Sequence, residues 1–91
     1  MIHLELVYST QFAKDLRKMQ KQGKDLAKLH SLINKLTMGE KLDIKHRDHS
    51  LKGDHIGYRE CHINPDWLLI YKIVDKKYLH LTRTGSHSEL F

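Results

Sequence analysis

The sequence predicts an α+β fold in which two helices pack against one face of an antiparallel β-sheet. Three observations support this: an alternating segment near the N-terminus, two amphipathic segments between residues 10 and 38, and three closely spaced strand-like segments after residue 57. Short turns separate the last three segments, and turns of that length join antiparallel strands. The length of 91 residues suits a single domain, residues 1–91, with one modest core.

The first half of the chain reads as a strand followed by a helical hairpin. Residues 3–8 alternate as a strand does, and Ser9 or Thr10 can cap the helix that follows. A second helix begins near Gly23 and runs to about Met38. The apolar stripes that predict the two helices are Phe12, Leu16 and Met19, and then Leu26, Leu29, Ile33 and Leu36.

The second half begins with a long polar connection and ends with three strands and a short tail. The connection, residues 39–57, offers only four apolar anchors: Leu42, Ile44, Leu51 and Ile56. A connection of this length is usually functional or mobile. Strands are predicted at residues 58–63, 67–74 and 78–84, with turns at residues 64–66 and 75–77. We expect the tail, residues 86–91, to be irregular or to form one turn of helix.

The composition indicates a cytoplasmic protein with an anionic partner. No apolar run approaches the roughly 18 residues that span a bilayer, and the N-terminus does not resemble a signal peptide. Cys61 is the only cysteine, which excludes an internal disulfide and suits a reducing compartment. Sixteen Lys and Arg against eleven Asp and Glu give a net charge of +5, which attracts nucleic acid, the ribosome or an acidic protein.

Eight histidines are the unusual feature of the composition, and a metal site is the first explanation to consider. His46 and His49 are spaced as a ligand pair could be, but neither a cysteine pair nor an HExxH motif accompanies them. We therefore predict no metal and no other cofactor. His3, His30 and His80 lie on predicted strands or a helix, where partly exposed or hydrogen-bonded histidines are ordinary.

His49, His62 and His87 come from three segments, each near the end of an element. If these ends converge, they form a basic cleft with Asp66, Trp67, Arg59, Arg83, Lys52 and Phe91. Cleavage of RNA by the ribose 2′-hydroxyl needs a base, an acid and cations, and imidazole can fill either proton-transfer role at neutral pH. Aromatic rings can stack on bases, although the tryptophan could instead cover the edge of the core. The residues alone leave a nuclease and a basic binding module open.

Three motifs carry a resemblance to a known family: "DHSLKG", "GYRECHINPDWLLIY" and the closing "RTGSHSELF". In this order and at these separations, the chain resembles the YafQ-like branch of the RelE/ParE superfamily, toxins of bacterial type II toxin–antitoxin systems. The resemblance implies a small RelE-like fold. It also implies an mRNA interferase, a ribosome-dependent endoribonuclease that cuts the messenger in the ribosomal A site without a metal.

The resemblance also implies roles for individual residues. The catalytic positions fall on His49, His62, Asp66 and His87. The aromatic positions fall on Trp67 and Phe91, and a strand-end arginine aimed at the scissile phosphate falls on Arg83. The chain departs from the pattern at Ser50, where relatives often have proline, and the last ring, Phe91, sits beside a terminal carboxylate.

The implied partners are a cognate antitoxin encoded nearby, the 70S ribosome and messenger RNA. Operator DNA is expected only through the antitoxin complex, and a membrane is not expected. The basic helical face suits ribosomal phosphates and consists of Lys14, Lys18, Lys21, Lys24 and Lys28. Two alternatives remain: a ParE-like toxin that binds DNA gyrase, and a degenerate toxin that acts only in autorepression.

Overall fold

A mixed five-stranded sheet forms the centre of the computed structural model, which describes residues 3–91. The strands are β1 (Glu5–Tyr8), β2 (His49–Ser50), β3 (Arg59–Asn64), β4 (Trp67–Val74) and β5 (Tyr78–Gly85), in the spatial order β1-β5-β4-β3-β2. The helices are α1 (Thr10–Lys21), α2 (Leu26–Thr37) and α3 (His87–Leu90). The predicted α+β class and the order of the main elements are confirmed. Residues 1 and 2 of the predicted domain lie outside the described residues.

The edge strand β1 pairs with β5 in parallel, with Glu5 opposite Tyr78 and Tyr8 opposite Leu81. The other three pairings are antiparallel. Our expectation of a wholly antiparallel sheet is therefore wrong at this edge. The hairpin argument holds only for strands joined by a short turn, and most of the chain separates β1 from β5.

Helices α1 and α2 cover one face of the sheet. The side chains of Ser9 and Asp25 cap their first turns, accepting from the backbone N–H groups of Phe12 and Ala27. Below the helices lies one hydrophobic cluster that draws on α1, α2 and strands β3 to β5. Its largest fully buried members are Trp67, Tyr71, Phe12, Met19, Leu29, Leu69, Leu79 and Leu81.

Helix α1 also binds the end of β5, which extends beyond β1. The Ser9 hydroxyl donates to the Thr82 carbonyl at 2.8 Å, and the Thr84 N–H donates to the Asp15 carboxylate at 3.1 Å. Asp15 is buried, and it also accepts from Arg83. Side chains of α1 thus replace a neighbouring strand at this edge and hold the segment that leads into α3.

The long connection is anchored by polar contacts rather than by its isoleucines. Ile44 and Ile56 are 91% and 78% exposed, so their predicted anchoring role is wrong. Instead, Nδ1 of His46 lies 2.7 Å from the carbonyl oxygen of His62, and Asp48 accepts from the buried Tyr71 hydroxyl at 2.6 Å. These contacts fix the connection against β3 and β4, close to His49.

Candidate active site

The face of the sheet away from α1 and α2 carries two of the predicted catalytic histidines. Along β3, Cys61 and Ile63 point into the core beneath the helices, so the alternating Glu60 and His62 point to the other face. His49 on β2 lies directly opposite Glu60 in the antiparallel pairing. The structure therefore brings His49 and His62 together on one face, as the sequence predicted.

A buried carboxylate that the sequence reasoning missed lies between these two histidines. Oε1 of Glu60 is 3.3 Å from Nε2 of His62 and 3.8 Å from Nε2 of His49. Its side chain is only 8% exposed, whereas the His49 side chain is half exposed. Glu60 could have been found from its spacing, because residues two apart in a strand share a face.

Backbone carbonyl groups orient both imidazole rings. Nδ1 of His49 lies 2.6 Å from the Arg47 carbonyl oxygen, and Nδ1 of His62 lies 3.3 Å from the Pro65 carbonyl oxygen. A carbonyl oxygen can only accept, so each Nδ1 carries the donated proton. Each ring therefore turns its Nε2 towards Glu60.

The residues on both sides of His49 are held by Arg59. Its Nε donates to Asp48 at 3.3 Å and its Nη1 donates to the Ser50 hydroxyl at 2.9 Å. Arg59 alternates with Glu60 along β3 and so starts from the opposite face of the sheet. Its guanidinium braces the segment that carries His49, and its predicted contact with substrate stays a prediction.

Asp66 and His87 meet where the β3–β4 turn approaches the start of α3. The His87 N–H donates to the Asp66 carboxylate at 3.4 Å, linking the β3–β4 turn to the start of α3. His62 contacts the carbonyl of Pro65, so the β3–β4 turn that carries Asp66 also contacts His62. Asp66 and His87 are thus adjacent, through the backbone of His87.

Helix α3 is fixed by Glu89, which the sequence reasoning did not single out. Glu89 forms a capping box with Ser86, and its Oε2 lies 2.6 Å from Nζ of Lys18 on α1. The Lys18 ammonium and the hydrogen bonds from Ser86 lower the pKa of the Glu89 carboxyl to about 2. The ion pair therefore joins the tail that carries His87 to α1.

Phe91 lies between two histidine rings. Its ring centroid is 5.1 Å from that of His87 and 5.3 Å from that of His55, the latter in edge-on contact. His55 belongs to the long connection and was not predicted as a site residue. Phe91 is about half exposed, so one part of its ring is available to a ligand.

The two remaining cations predicted for the cleft are Arg83 and Lys52. Nε of Arg83 donates to Asp15 at 2.8 Å, and the arginine side chain is one-third exposed. Its fork has five donors, so this ion pair leaves N–H groups for a second acceptor. Lys52 is exposed on the connection, just before a single 3₁₀ turn at Gly53–His55.

Trp67 is not in the cleft. It is 1% exposed and belongs to the core cluster beneath the helices, and its indole N–H donates to the Thr84 hydroxyl at 2.9 Å. The prediction that Trp67 stacks on a base is therefore wrong, and the alternative, a tryptophan that packs in the core, is correct. Alternate residues of a strand point to the same face, a rule called strand parity here, and Trp67 therefore shares a face of β4 with Leu69 and Tyr71.

Comparison with known proteins identifies the class of protein that this fold and site define. The family model described as "Bacterial toxin of type II toxin-antitoxin system, YafQ" matches residues 4–91. The chain is 44% identical over 92 residues to the mRNA interferase toxin YafQ of Escherichia coli K12, covering 100% of this chain and 99% of that one. It is 34% identical over 96 residues to the putative toxin YafQ of Haemophilus influenzae, covering 94% and 90%.

Solved structures lead to the same class of protein as the sequence comparisons. The chain matches the E. coli DinJ–YafQ toxin–antitoxin complex with a TM-score of 0.90 and 43% identity, covering 99% of both chains. A metal-bound toxin from Helicobacter pylori matches with a TM-score of 0.90 and 44% identity, covering 97% of this chain and 99% of that one. These matches place the chain among the toxins of bacterial type II toxin–antitoxin systems. Within that class it belongs to the YafQ family, which confirms the resemblance found in its motifs.

Proposed function

We propose that this toxin is an mRNA interferase that cleaves messenger RNA in the ribosomal A site. The observation that carries the proposal is the pair of contacts that Glu60 makes with His49 and His62, together with the hydrogen bond from the backbone of His87 to the Asp66 carboxylate. These contacts bring imidazoles and carboxylates together in a basic protein, which is the chemistry that transfer of protons to and from RNA requires. The E. coli relative named as an mRNA interferase supports the same activity.

The proposed reaction is attack of a ribose 2′-hydroxyl on the adjacent phosphate. His49 is suited to take the hydroxyl proton, since its Nδ1–H is held by the Arg47 carbonyl and its half-exposed ring leaves Nε2 unprotonated. His87 is suited to give a proton to the departing 5′-oxygen, and Asp66 holds the backbone of His87 in place. The free N–H groups of Arg83 and the exposed Lys52 offer positive charge to the phosphate.

The proposed partners are the ribosome, messenger RNA and a cognate antitoxin. Relatives crystallised as the E. coli DinJ–YafQ complex support the antitoxin, and operator DNA is proposed only through that complex. The five lysines of the basic helical face are all exposed, as contact with ribosomal phosphates requires.

The decisive experiment compares messenger 5′ ends in bacteria that express the wild type, His49→Ala, His87→Ala or His30→Ala. His30 is exposed on α2, away from the candidate site, and is the matched control. New in-frame cuts are expected with the wild type and His30→Ala, and strongly reduced cutting with the other two. Growth arrest with intact messengers in every strain would instead indicate a ParE-like toxin, and normal growth with the wild type would indicate a degenerate one.

Metal independence remains a prediction with its own test. In residues 3–91, no group of three or more His, Cys, Asp or Glu side chains is arranged to hold a metal ion, but metal-bound relatives make the question worth testing. Toxin treated with a chelator selective for transition metals should still cleave ribosome-bound messenger at the untreated rate. Loss of cleavage that returns with added zinc or copper would overturn this.

A further inference from the structure

We propose that Glu60 is a positioning residue that assigns different protonation states to the two imidazoles beside it. It holds His62 as an imidazolium and leaves His49 neutral, with a free lone pair on Nε2. Its catalytic consequence rests on the proposed nuclease function, but the protonation pattern itself does not.

The first step is the environment of the carboxylate. The Glu60 side chain is 8% exposed, and an ionised carboxylate that is buried needs donors or positive charge. In the described part of the chain, its only contacts within 4 Å with side-chain cations are to Nε2 of His62 and Nε2 of His49. The imidazoles must therefore supply what the carboxylate needs.

The second step is the direction of the two rings. Both Nδ1 atoms face carbonyl oxygens and so carry protons. With the rings neutral, both Nε2 lone pairs would face the negative oxygen, which is repulsive. One additional proton on one Nε2 replaces this repulsion with attraction between an imidazolium and the carboxylate.

The third step decides which ring receives the proton. Nε2 of His62 is 0.5 Å closer to Oε1 of Glu60 than Nε2 of His49 is, at 3.3 Å against 3.8 Å, so the attraction is stronger for His62. The His62 side chain is also less exposed, 19% against 50%. Water can therefore hydrogen-bond to the His49 ring but reaches much less of the His62 ring. His62 thus depends more on Glu60 for a polar partner.

Among the described residues, the neighbouring elements offer the Glu60 carboxylate no better partner than the two imidazoles. The β4 residues opposite His62 and Glu60 are Leu68 and Ile70, both apolar and buried. On β5, Arg83 lies opposite Ile70, but its guanidinium is bound to Asp15. From the connection, the His46 ring binds the backbone of His62 rather than the carboxylate.

The consequence is a division of roles between two like residues. His49 keeps the lone pair that a general base needs, whereas His62 contributes a fixed positive charge next to the reacting phosphate. Glu60 acts through the two rings that it contacts.

The test is long-range ¹H–¹⁵N NMR of the imidazole nitrogens in the free toxin, with no ribosome present. Near neutral pH, we expect protons on both nitrogens of His62 and on Nδ1 alone of His49. In Glu60→Gln, the same spectrum should show His62 with a proton on Nδ1 alone. In the control Glu5→Gln, which alters an exposed acid on β1, the pattern should not change. A neutral His62 in the wild type, or a protonated His49, overturns the proposal without any variant.

A second measurement connects the pattern to cleavage. With purified ribosomes, Glu60→Gln should lower kcat by about 10-fold to 100-fold with little change in KM, and Glu60→Asp, which keeps the charge, should recover part of the loss. An unchanged kcat in Glu60→Gln overturns the catalytic part of the proposal. Failure of the wild type to cleave overturns the proposed function instead, while the NMR pattern still decides the role of Glu60.

Discussion

The indole N–H of Trp67 donates a hydrogen bond to the hydroxyl of Thr84, 2.9 Å away on the helix-covered side of the sheet. Thr84 passes the interaction on, since its hydroxyl donates to the Leu68 carbonyl at 2.8 Å. The neighbouring Asp66 points instead to solvent and to the first turn of α3. One hairpin turn thus supplies a core residue and a site residue side by side.

Trp67 should therefore behave as a buried fluorophore that does not respond to RNA. It is the only tryptophan, so its emission is unambiguous. We expect blue-shifted emission, weak quenching by acrylamide, and no change on addition of single-stranded RNA. Red-shifted emission that RNA quenches would restore the base-stacking role.

Tyr71→Phe should loosen the segment that carries His49 without disturbing the core. It removes one hydroxyl, and Asp48 loses a 2.6 Å hydrogen bond while its contact with Arg59 remains. We expect a loss of about 1–2 kcal/mol in the free energy of unfolding, measured with urea. The control Tyr78→Phe, at the start of β5, should change the same quantity by less than about 0.5 kcal/mol. Equal effects of the two variants would contradict a special role for the Asp48 contact.

The contribution of Glu89 to stability should disappear in acid. Its pKa is lowered from 4.5 to about 2, so the folded state favours the ionised form. The stabilisation is thus complete above pH 4.5 and is lost as the pH falls towards 2. The difference in melting temperature between the wild type and Glu89→Gln should be largest near pH 6 and shrink as the pH approaches 2. A difference that is constant across this range would show that charge is not the cause.

Cys61 should be inert in the folded protein. It is fully buried on β3, and burial raises the pKa of its thiol to about 12. Because the thiolate is the reactive form, thiol reagents should not label the native toxin at pH 8 but should label it rapidly in urea. Fast labelling without denaturant would show that this strand opens in the native state.

Most elements could be predicted because their signals are local. The periods of apolar residues and the turn at residues 64–66 depend on near neighbours, and β4 begins and ends where the apolar run predicted, at Trp67–Val74. The parallel pairing of β1 with β5 could not be predicted in this way, since it depends on how distant segments pack.

The residues of the candidate site were also only partly predictable from the sequence. The histidines and Asp66 were found by residue type, but Glu60 was missed because a charged residue in an alternating strand resembles a solvent-facing one. Trp67 is assigned to the cleft by its motif, whereas its side chain is buried beneath the helices. Strand parity, available from the sequence, places both correctly.

The position of β5 between β1 and β4 has a consequence for the synthesis of the protein. Ser9 and its hydrogen-bond partner Thr82 are separated by 73 residues. The partners of Asp15, Arg83 and Thr84, follow it by 68 and 69 residues. A nascent chain therefore cannot close its sheet until residues 78–85 have emerged, and His87 comes after them. Throughout most of its own translation, the toxin exists only as an incomplete sheet without a site.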